Sequence, residues 1–441
     1  MSGTLLLENE PADRGPLRVL FMITSMQVGG AETLLVNLVR RLDRRRFEPE
    51  ICCLKEPGPL GEMLSREMPV HSRLLAGKYD VRVLGRLTRL MRQRRVDAVV
   101  TVGAGDKMFW GRLAAWRVGV PVVLSALHST GWPDGIGRLN RMLTPLTDGF
   151  IAVAEPHGRY LVEGERFPAA KVTVIPNGVD TQRFCPNPTA RAAVRRDLLW
   201  HDDTPVFGTV AALRPEKNHL LFLRVAAQVR QAIPDARFLI VGDGPQRGQL
   251  EAAAAAAGLN DSLRMLGSRS DVPDLLAAMD TFVLTSLNEA NPVSILEAMS
   301  VGLPVVSTRV GSIAETVLDG VTGYLAEVED APRIARCCVE LAADPRKTRQ
   351  LGARGRQLVV ARWSLEQMVD GYARLISDIY RRKRVERRTG VPQRPDAGIM
   401  EADGPLTQAV GRSRERAFQG SARCDTMVGE AGDRSVPGGL R

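Results

Sequence analysis

The chain has 441 residues, enough for two ordinary domains and too many for one compact core. Apolar residues make up 44% and charged residues 25%, the balance of a soluble globular protein; at 5%, aromatic residues are too few for a surface built on stacking. The formal net charge of +10 draws the chain toward anions as a class (nucleotides, phosphorylated lipids, anionic membranes, nucleic acid) without choosing among them.

Residues 1–16 read as a flexible polar leader. Its three-leucine run lacks a basic flank and is followed by acidic residues, so no signal peptide is expected. No stretch has the length of an uninterrupted membrane span, which favours a cytoplasmic protein. The six cysteines form two adjacent pairs, Cys52 with Cys53 and Cys337 with Cys338, plus Cys185 and Cys424. No C-x-x-C or zinc-ligand spacing occurs, and neighbours on a strand point to opposite faces, so the first pair reads as core filler.

From Leu17 the chain alternates. RVLFMITS is a short apolar run, MQVGGAE a glycine turn and LLVNLVRRL a helix. FEPEICCL, DAVVTVG, PVVLSALHS and GFIAVA are further runs of buried-strand length. DVRVLGRLTRLMRQRRV reads as a basic amphipathic helix with Val83, Leu87 and Leu90 at helical spacing. KVTVIPNGVDTQRF closes this first unit, and Pro186 with Pro188 marks a linker. PVFGTVAALRPEKN opens a second unit with the same grammar, continued by RFLIVGDGP, LRMLG, TFVLTS and PVVST. Such alternation predicts two α/β domains, each with a parallel sheet covered by helices, spanning 17–188 and 189–361. A closing helix is predicted over 362–384 and a disordered basic tail over 385–441.

In sheets of this kind ligands bind beyond the carboxyl ends of the strands, so three segments stand out. Gly29-Gly30-Ala31-Glu32 follows a strand and opens a helix, where bare backbone and free N–H groups suit a phosphate. A double glycine at such a turn is structural about as often as functional. Arg214-Pro215-Glu216-Lys217-Asn218 places two cations at i and i+3 after a strand, able to grip a diphosphate. A solvated basic loop is the bland reading; position after a buried strand favours function. Glu289 and Glu297 lie eight residues apart around a helix start, so both can face one cleft and accept from sugar hydroxyls. Spacing alone leaves open a helix-end Glu289 and a surface Glu297.

GGAE, VIPNGVD, LRPEKN, VGDGP and E-x7-E followed by GLPVVST occur in this order across roughly residues 17–380. In that layout the sequence resembles the GT-B glycosyltransferases, in particular the large retaining group called family 4. The resemblance implies two Rossmann-like domains facing across a cleft, with the acceptor on 17–188 and a nucleotide-sugar donor on 189–361. It places Gly30 under the donor diphosphate and makes Arg214 and Lys217 its holders. Glu289 would bind sugar hydroxyls, helped by the N–H groups of Asn291, Pro292 and Val293, and Glu297 the ribose. Gly267, Ser268 and Arg269 fall where the base is read, and His128 points toward the reacting centre. Two departures from the family pattern, Asn291-Pro292 and Ser129-Thr130 after His128, put the sugar and acceptor contacts in doubt. The resemblance further implies a donor, UDP-linked in most members, and a lipid-linked or polysaccharide acceptor, with no cofactor.

No D-x-D is present, which speaks against a metal-dependent transferase of the other common fold. His71, His157, His201 and His219 have no partner spacing of a metal site or triad. Trp110 and Trp116 read as packing residues, Trp132 as packing or the edge of the acceptor cleft, and Asp106 as part of a structural turn. The basic runs around Arg40 to Arg46, Arg82 to Arg95 and Arg381 to Arg388 are solvated helix faces or, alternatively, peripheral contacts with anionic membrane. Without interleaved aromatics they do not form a nucleic-acid surface, so no nucleic-acid partner is expected. A sugar-nucleotide epimerase on the same scaffold and a non-enzymatic anion- or nucleic-acid-binding protein are the alternative readings.

Overall fold

The computed structural model describes residues 15–77, 79–128 and 137–390. Ser129, Thr130, Trp132, Cys424, the leader up to residue 14 and the tail from residue 391 lie outside the described residues. The first sheet comprises β1 (Leu17–Ile23), β2 (Phe47–Cys53), β3 (Val70–His71), β4 (Ala98–Val102), β5 (Val122–Ala126), β6 (Gly149–Ala152) and β7 (Val172–Val174). The second comprises β8 (Val206–Val210), β9 (Arg237–Val241), β10 (Leu263–Met265), β11 (Thr281–Leu284), β12 (Val305–Thr308) and β13 (Gly323–Ala326). Their orders are β3-β2-β1-β4-β5-β6-β7 and β10-β9-β8-β11-β12-β13, and neighbouring strands pair in parallel.

The sequence explains these strands directly. β4 (AVVTV) and β5 (VVLSA) are buried at every position because helices cover both faces, so continuous apolar runs replace alternation. Cys52 and Cys53 pair with Met22 and Ile23 and pack into separate core clusters, one on each face. In both sheets the strand order reverses beside the first strand, between β1 and β4 and between β8 and β11. Those crevices are where loops diverge and leave room for a ligand.

Three features depart from the sequence reading. β3 and β13 are too short for a periodicity signal and exist as edge strands. Pro188 begins a helix, Pro188–Asp197, rather than extending a linker: Asn187 caps it by accepting from the Ala190 N–H at 3.0 Å. The closing helix runs Leu365–Thr389, so residues 385–389 are helical where disorder was expected. Leu365, Met368, Val369, Tyr372, Ile376 and Ile379 from this helix join the core of the first sheet. Lys383 pairs with Asp148 at 2.5 Å and Gly390 terminates the helix in the left-handed region, so the basic end is held by packing its composition does not reveal.

The chain therefore returns to its first half. Val179 donates to the Trp363 carbonyl and Leu365 to the Val179 carbonyl, both at 2.9 Å, so the outgoing and returning segments cross side by side. Among the described residues no helix is long and apolar enough to cross a membrane.

Candidate active site

The loops beyond the carboxyl ends of β1, β8 and β11 bring together most of the residues singled out from sequence. Gly30 opens the helix Gly30–Arg41, and a Cβ on it would stand 3.9 Å from Cγ2 of Val293, the first residue of the helix Val293–Val301 in the other half. Asn177, buried in the segment after β7, donates to the Asn291 carbonyl at 2.9 Å. The two halves thus meet where two helix N-termini converge, a setting that favours an anion.

Lys217 and Glu289 form the centre of the second half's contribution. Lys217 Nζ lies 2.5 Å from Glu289 Oε1, and Ser286 Oγ donates to the same oxygen at 2.7 Å. Glu289 is only 8% exposed, so its carboxylate is held by these contacts rather than by water. Leu287 N–H donates to the Glu216 carbonyl at 2.8 Å and Thr285 Oγ1 to the Asn218 carbonyl at 3.0 Å, zipping the two loops together. Gly311, with φ +53°, lies so close that a Cβ would overlap the Glu289 carbonyl oxygen. Asn291 Oδ1 is buried without a hydrogen-bond partner among the described residues, an acceptor left for a ligand hydroxyl. Pro292 is the N-cap of the following helix and has no N–H, so the expectation that it donates is corrected: its neighbours alone can do so.

Arg214 extends into the cleft and is 64% exposed, with Glu216 4.0 Å away. Opposite stands Glu32, whose carboxyl is raised by burial while Lys107 and Arg214 pull it back. Lys107 lies over Gly103, where a Cβ would come within 3.3 Å of Nζ. His128, two residues beyond β5 and half-buried, is pushed down to about 4 by burial and by the nearby His157 and Lys107, which keeps its ring neutral at neutral pH. His157 Nδ1 accepts from the Val153 N–H at 3.3 Å, which places its proton on Nε2. Since β1, β4, β5 and β6 are neighbours, the segments carrying Glu32, Lys107, His128 and His157 lie side by side, with His157 itself buried.

Glu297 lies on the helix Val293–Val301, half-buried and pushed up to about 7 by burial, with Arg183 opposing. Arg183 also donates to the Ser270 carbonyl at 3.2 Å, which ties Glu297 to the turn holding Gly267, Ser268 and Arg269. Gly267 has φ +70° and its carbonyl accepts from Gly242 N–H at 2.8 Å. Ser268 is exposed, and Arg269 pairs with Asp271 at 2.6 Å.

Lys107, Asn177, Arg183, Ser286 and Gly311 were given no role from sequence. Asn177 and Arg183 lie in or beside VIPNGVD, so their motif was visible while their partners across the cleft were not. Of the remaining histidines, His71 pairs with Glu50 at 2.8 Å, His219 bonds the Ala212 carbonyl at 3.1 Å, and His201 is exposed. Among the described residues no group of three or more His, Cys, Asp or Glu is placed to hold a metal ion.

Comparison with known proteins agrees with this geometry. Residues 28–183 match the family described as Glycosyltransferase Family 4, and residues 190–358 match Glycosyl transferases group 1. A UDP-Gal:alpha-D-GlcNAc-diphosphoundecaprenol alpha-1,3-galactosyltransferase of Escherichia coli is 28% identical over 333 residues, 72% of this chain and 86% of its own. A GDP-mannose-dependent alpha-(1-6)-phosphatidylinositol monomannoside mannosyltransferase of Mycobacterium tuberculosis is 30% identical over 291 residues, 63% of this chain and 75% of its own. The crystal structure of Anabaena HepE in complex with UDP-glucose shares the fold with a TM-score of 0.73 at 22% identity, over 82% of this chain and 100% of its own. Matched in order through both halves, the chain belongs to the GT-B glycosyltransferases of family 4.

Proposed function

We propose that the protein transfers a sugar from a UDP-linked donor to a lipid-linked or polysaccharide acceptor, with retention at the anomeric carbon and without a metal or other cofactor. The observation that carries this reading is the Lys217–Glu289 pair at the strand ends of the second half, whose helix start at Val293 stands 3.9 Å from where a Cβ on Gly30 would lie. Arg214 and Lys217 hold the donor diphosphate over Gly30. Glu289 and Asn291 Oδ1 accept from sugar hydroxyls, Glu297 accepts from the ribose, and the turn Gly267 to Arg269 meets the base. His128, its ring neutral, faces the reacting centre, and the acceptor hydroxyl keeps its proton for the departing phosphate oxygen.

Among the described residues Glu289 is engaged with Lys217 and Ser286, which speaks against its serving as the nucleophile of a double displacement. The acceptor hydroxyl then attacks the anomeric carbon on the face from which the diphosphate departs. The bond from that carbon to the phosphate oxygen breaks, and the hydroxyl proton passes to the departing phosphate oxygen. Arg214 and Lys217 stabilise the charge that develops there. The E. coli relative and HepE, named with UDP-linked ligands, support UDP, and the M. tuberculosis relative, named GDP-mannose-dependent, makes GDP the alternative that a donor panel decides. The acceptors in the relatives' names, a diphosphoundecaprenol and a phosphatidylinositol mannoside, favour a role in envelope or polysaccharide synthesis at the cytoplasmic face of the membrane. Exposed Arg82, Arg89, Arg92 and Arg95 on and beside the helix Val83–Gln93 would add about 1 kcal/mol each of peripheral attraction to anionic lipid.

The test is a panel of nucleotide sugars incubated with the full chain in the presence of chelator, reading nucleoside-diphosphate release and thermal shift together. One UDP-sugar should stabilise the protein and be consumed slowly, faster once a lipid-linked acceptor is added. Near-normal turnover by Arg214→Ala, or turnover only on addition of a divalent metal, would overturn the mechanism. Failure to pellet with anionic vesicles at low salt would remove the membrane contact.

A further inference from the structure

The loop that carries both cations begins and ends on one oxygen. After β8 the chain passes through Ala212 and Leu213 to Arg214, makes a tight turn over Pro215–Lys217 and enters the helix His219–Ala232 through Asn218, which stands in the left-handed region at φ 48°. The Ala212 carbonyl accepts from the Arg214 N–H at 2.9 Å and from Nε2 of His219 at 3.1 Å. A carbonyl oxygen can only accept, so Nε2 carries the ring proton and Nδ1 a lone pair. His219 is 1% exposed, and its Nδ1 has no hydrogen-bond partner among the described residues. Burial pushes the ring below the ordinary histidine range, so it stays neutral. The far side of the same peptide plane is fixed as well, since the Leu213 N–H donates to the Asp243 carbonyl at 3.0 Å. The Lys217 end of the loop is tied to the loop after β11 through Thr285, Leu287 and Glu289. Arg214 stands at the other end, where the Ala212–Leu213 peptide sets its direction.

We propose that His219 is a positioning residue for the donor diphosphate: its ring N–H holds the Ala212–Leu213 peptide in the orientation from which Arg214 reaches the cleft alongside Lys217. The inference rests on the donor site described above. Packing alone gives no reason for a histidine here. Its neighbours on the helix, Leu221, Phe222 and Leu223, fill the core with apolar side chains, and a buried nitrogen left without a partner costs stability. A leucine would fill similar space without that cost; what it lacks is the N–H. Without that donor the Ala212 carbonyl keeps only the Arg214 N–H two residues on, a contact too local to fix the peptide against the helix. The guanidinium then meets a diphosphate in the right geometry less often, while Lys217 stays held by Glu289.

The experiment is calorimetric titration of the full chain with inorganic pyrophosphate, UDP and GDP, chelator present, alongside thermal unfolding. The proteins are wild type, His219→Leu, His219→Gln, Arg214→Ala and the double variant His219→Leu with Arg214→Ala. His219→Leu should weaken pyrophosphate and the bound nucleotide about tenfold while Tm stays close to wild type, because the lost hydrogen bond and the removed unpaired nitrogen offset each other. His219→Gln carries an amide N–H at the reach of Nε2 and should restore affinity to within about threefold of wild type. In the Arg214→Ala background His219→Leu should cost about twofold or less, because the side chain it positions is gone. Should His219→Leu fold poorly, His219→Asn places its amide one methylene short and should show the loss that His219→Gln does not. Wild-type affinity in folded His219→Leu, no rescue by glutamine, or an equal loss with and without Arg214 overturns the inference alone. Failure of every form, wild type included, to bind pyrophosphate, UDP or GDP overturns the donor site itself, and this inference with it.

Discussion

Lys217 and Glu289 stand 2.5 Å apart although 72 residues separate them, each on a loop leaving one of the two strands that flank the reversal in the second sheet. Removing the ammonium leaves a nearly buried carboxylate with only Ser286 to meet it. Lys217→Ala should lower turnover by roughly 100- to 1000-fold, as for loss of a donor to developing charge. It should also destabilise the protein by about 1–3 kcal/mol. Steady-state kinetics with thermal unfolding separate the two. Glu289→Gln, which keeps the shape, should show the smaller stability loss.

Gly311 packs against the backbone of Glu289. Its φ of +53° and the overlap a Cβ would make with the Glu289 carbonyl oxygen leave no room for a side chain. Gly311→Ala should cost about 1–3 kcal/mol of stability and displace Glu289, so donor affinity falls with Tm. Normal donor affinity in a stable Gly311→Ala protein would remove Glu289 from the sugar site.

Gly30 makes the opposite prediction. It starts a helix, and a Cβ there meets only Val293 at 3.9 Å, an ordinary contact. Gly30→Ala should leave Tm unchanged or slightly higher, since alanine is the better helix former. The methyl group would stand where backbone must meet phosphate, so UDP affinity should fall about tenfold or more. Equal loss of stability and affinity would mean that the glycine serves packing instead.

Glu297 gives a pH signature. Burial raises its carboxyl to about 7 in the folded protein, while an unfolded glutamate ionises near 4.3. Between those values the folded state keeps a proton that the unfolded chain has lost, so stability falls as pH rises from about 4.3 to about 7 and then levels. At about 1.36 kcal/mol per unit the contribution is on the order of 3–4 kcal/mol. Thermal unfolding from pH 5 to pH 8 should show wild type losing ground to Glu297→Gln across this window. Parallel profiles would show that Glu297 ionises normally.

Peripheral residues show how much could be read in advance. Glu289, Lys217, Arg214 and Gly30 were legible because each follows a buried apolar run, and parallel sheets present such positions at one edge. Lys107 follows the same rule, one residue after Asp106, yet a lone lysine in a glycine turn carries no pattern that separates it from a solvated one. Arg183 and Asn177 acquire their roles from Ser270 and Asn291, partners 87 and 114 residues away.

Local chemistry therefore determined the elements: apolar runs without alternation must be buried on both faces, glycines must turn, and spaced motifs name the loops that follow strands. Tertiary structure decided the rest. The helix Leu365–Thr389 buries its apolar face against the first sheet although it follows the second, because Val179 and Trp363 bring the two crossing segments together. Electrostatic partnership depends on distance in space, and the two halves set that distance only once each sheet has formed and closed on the other.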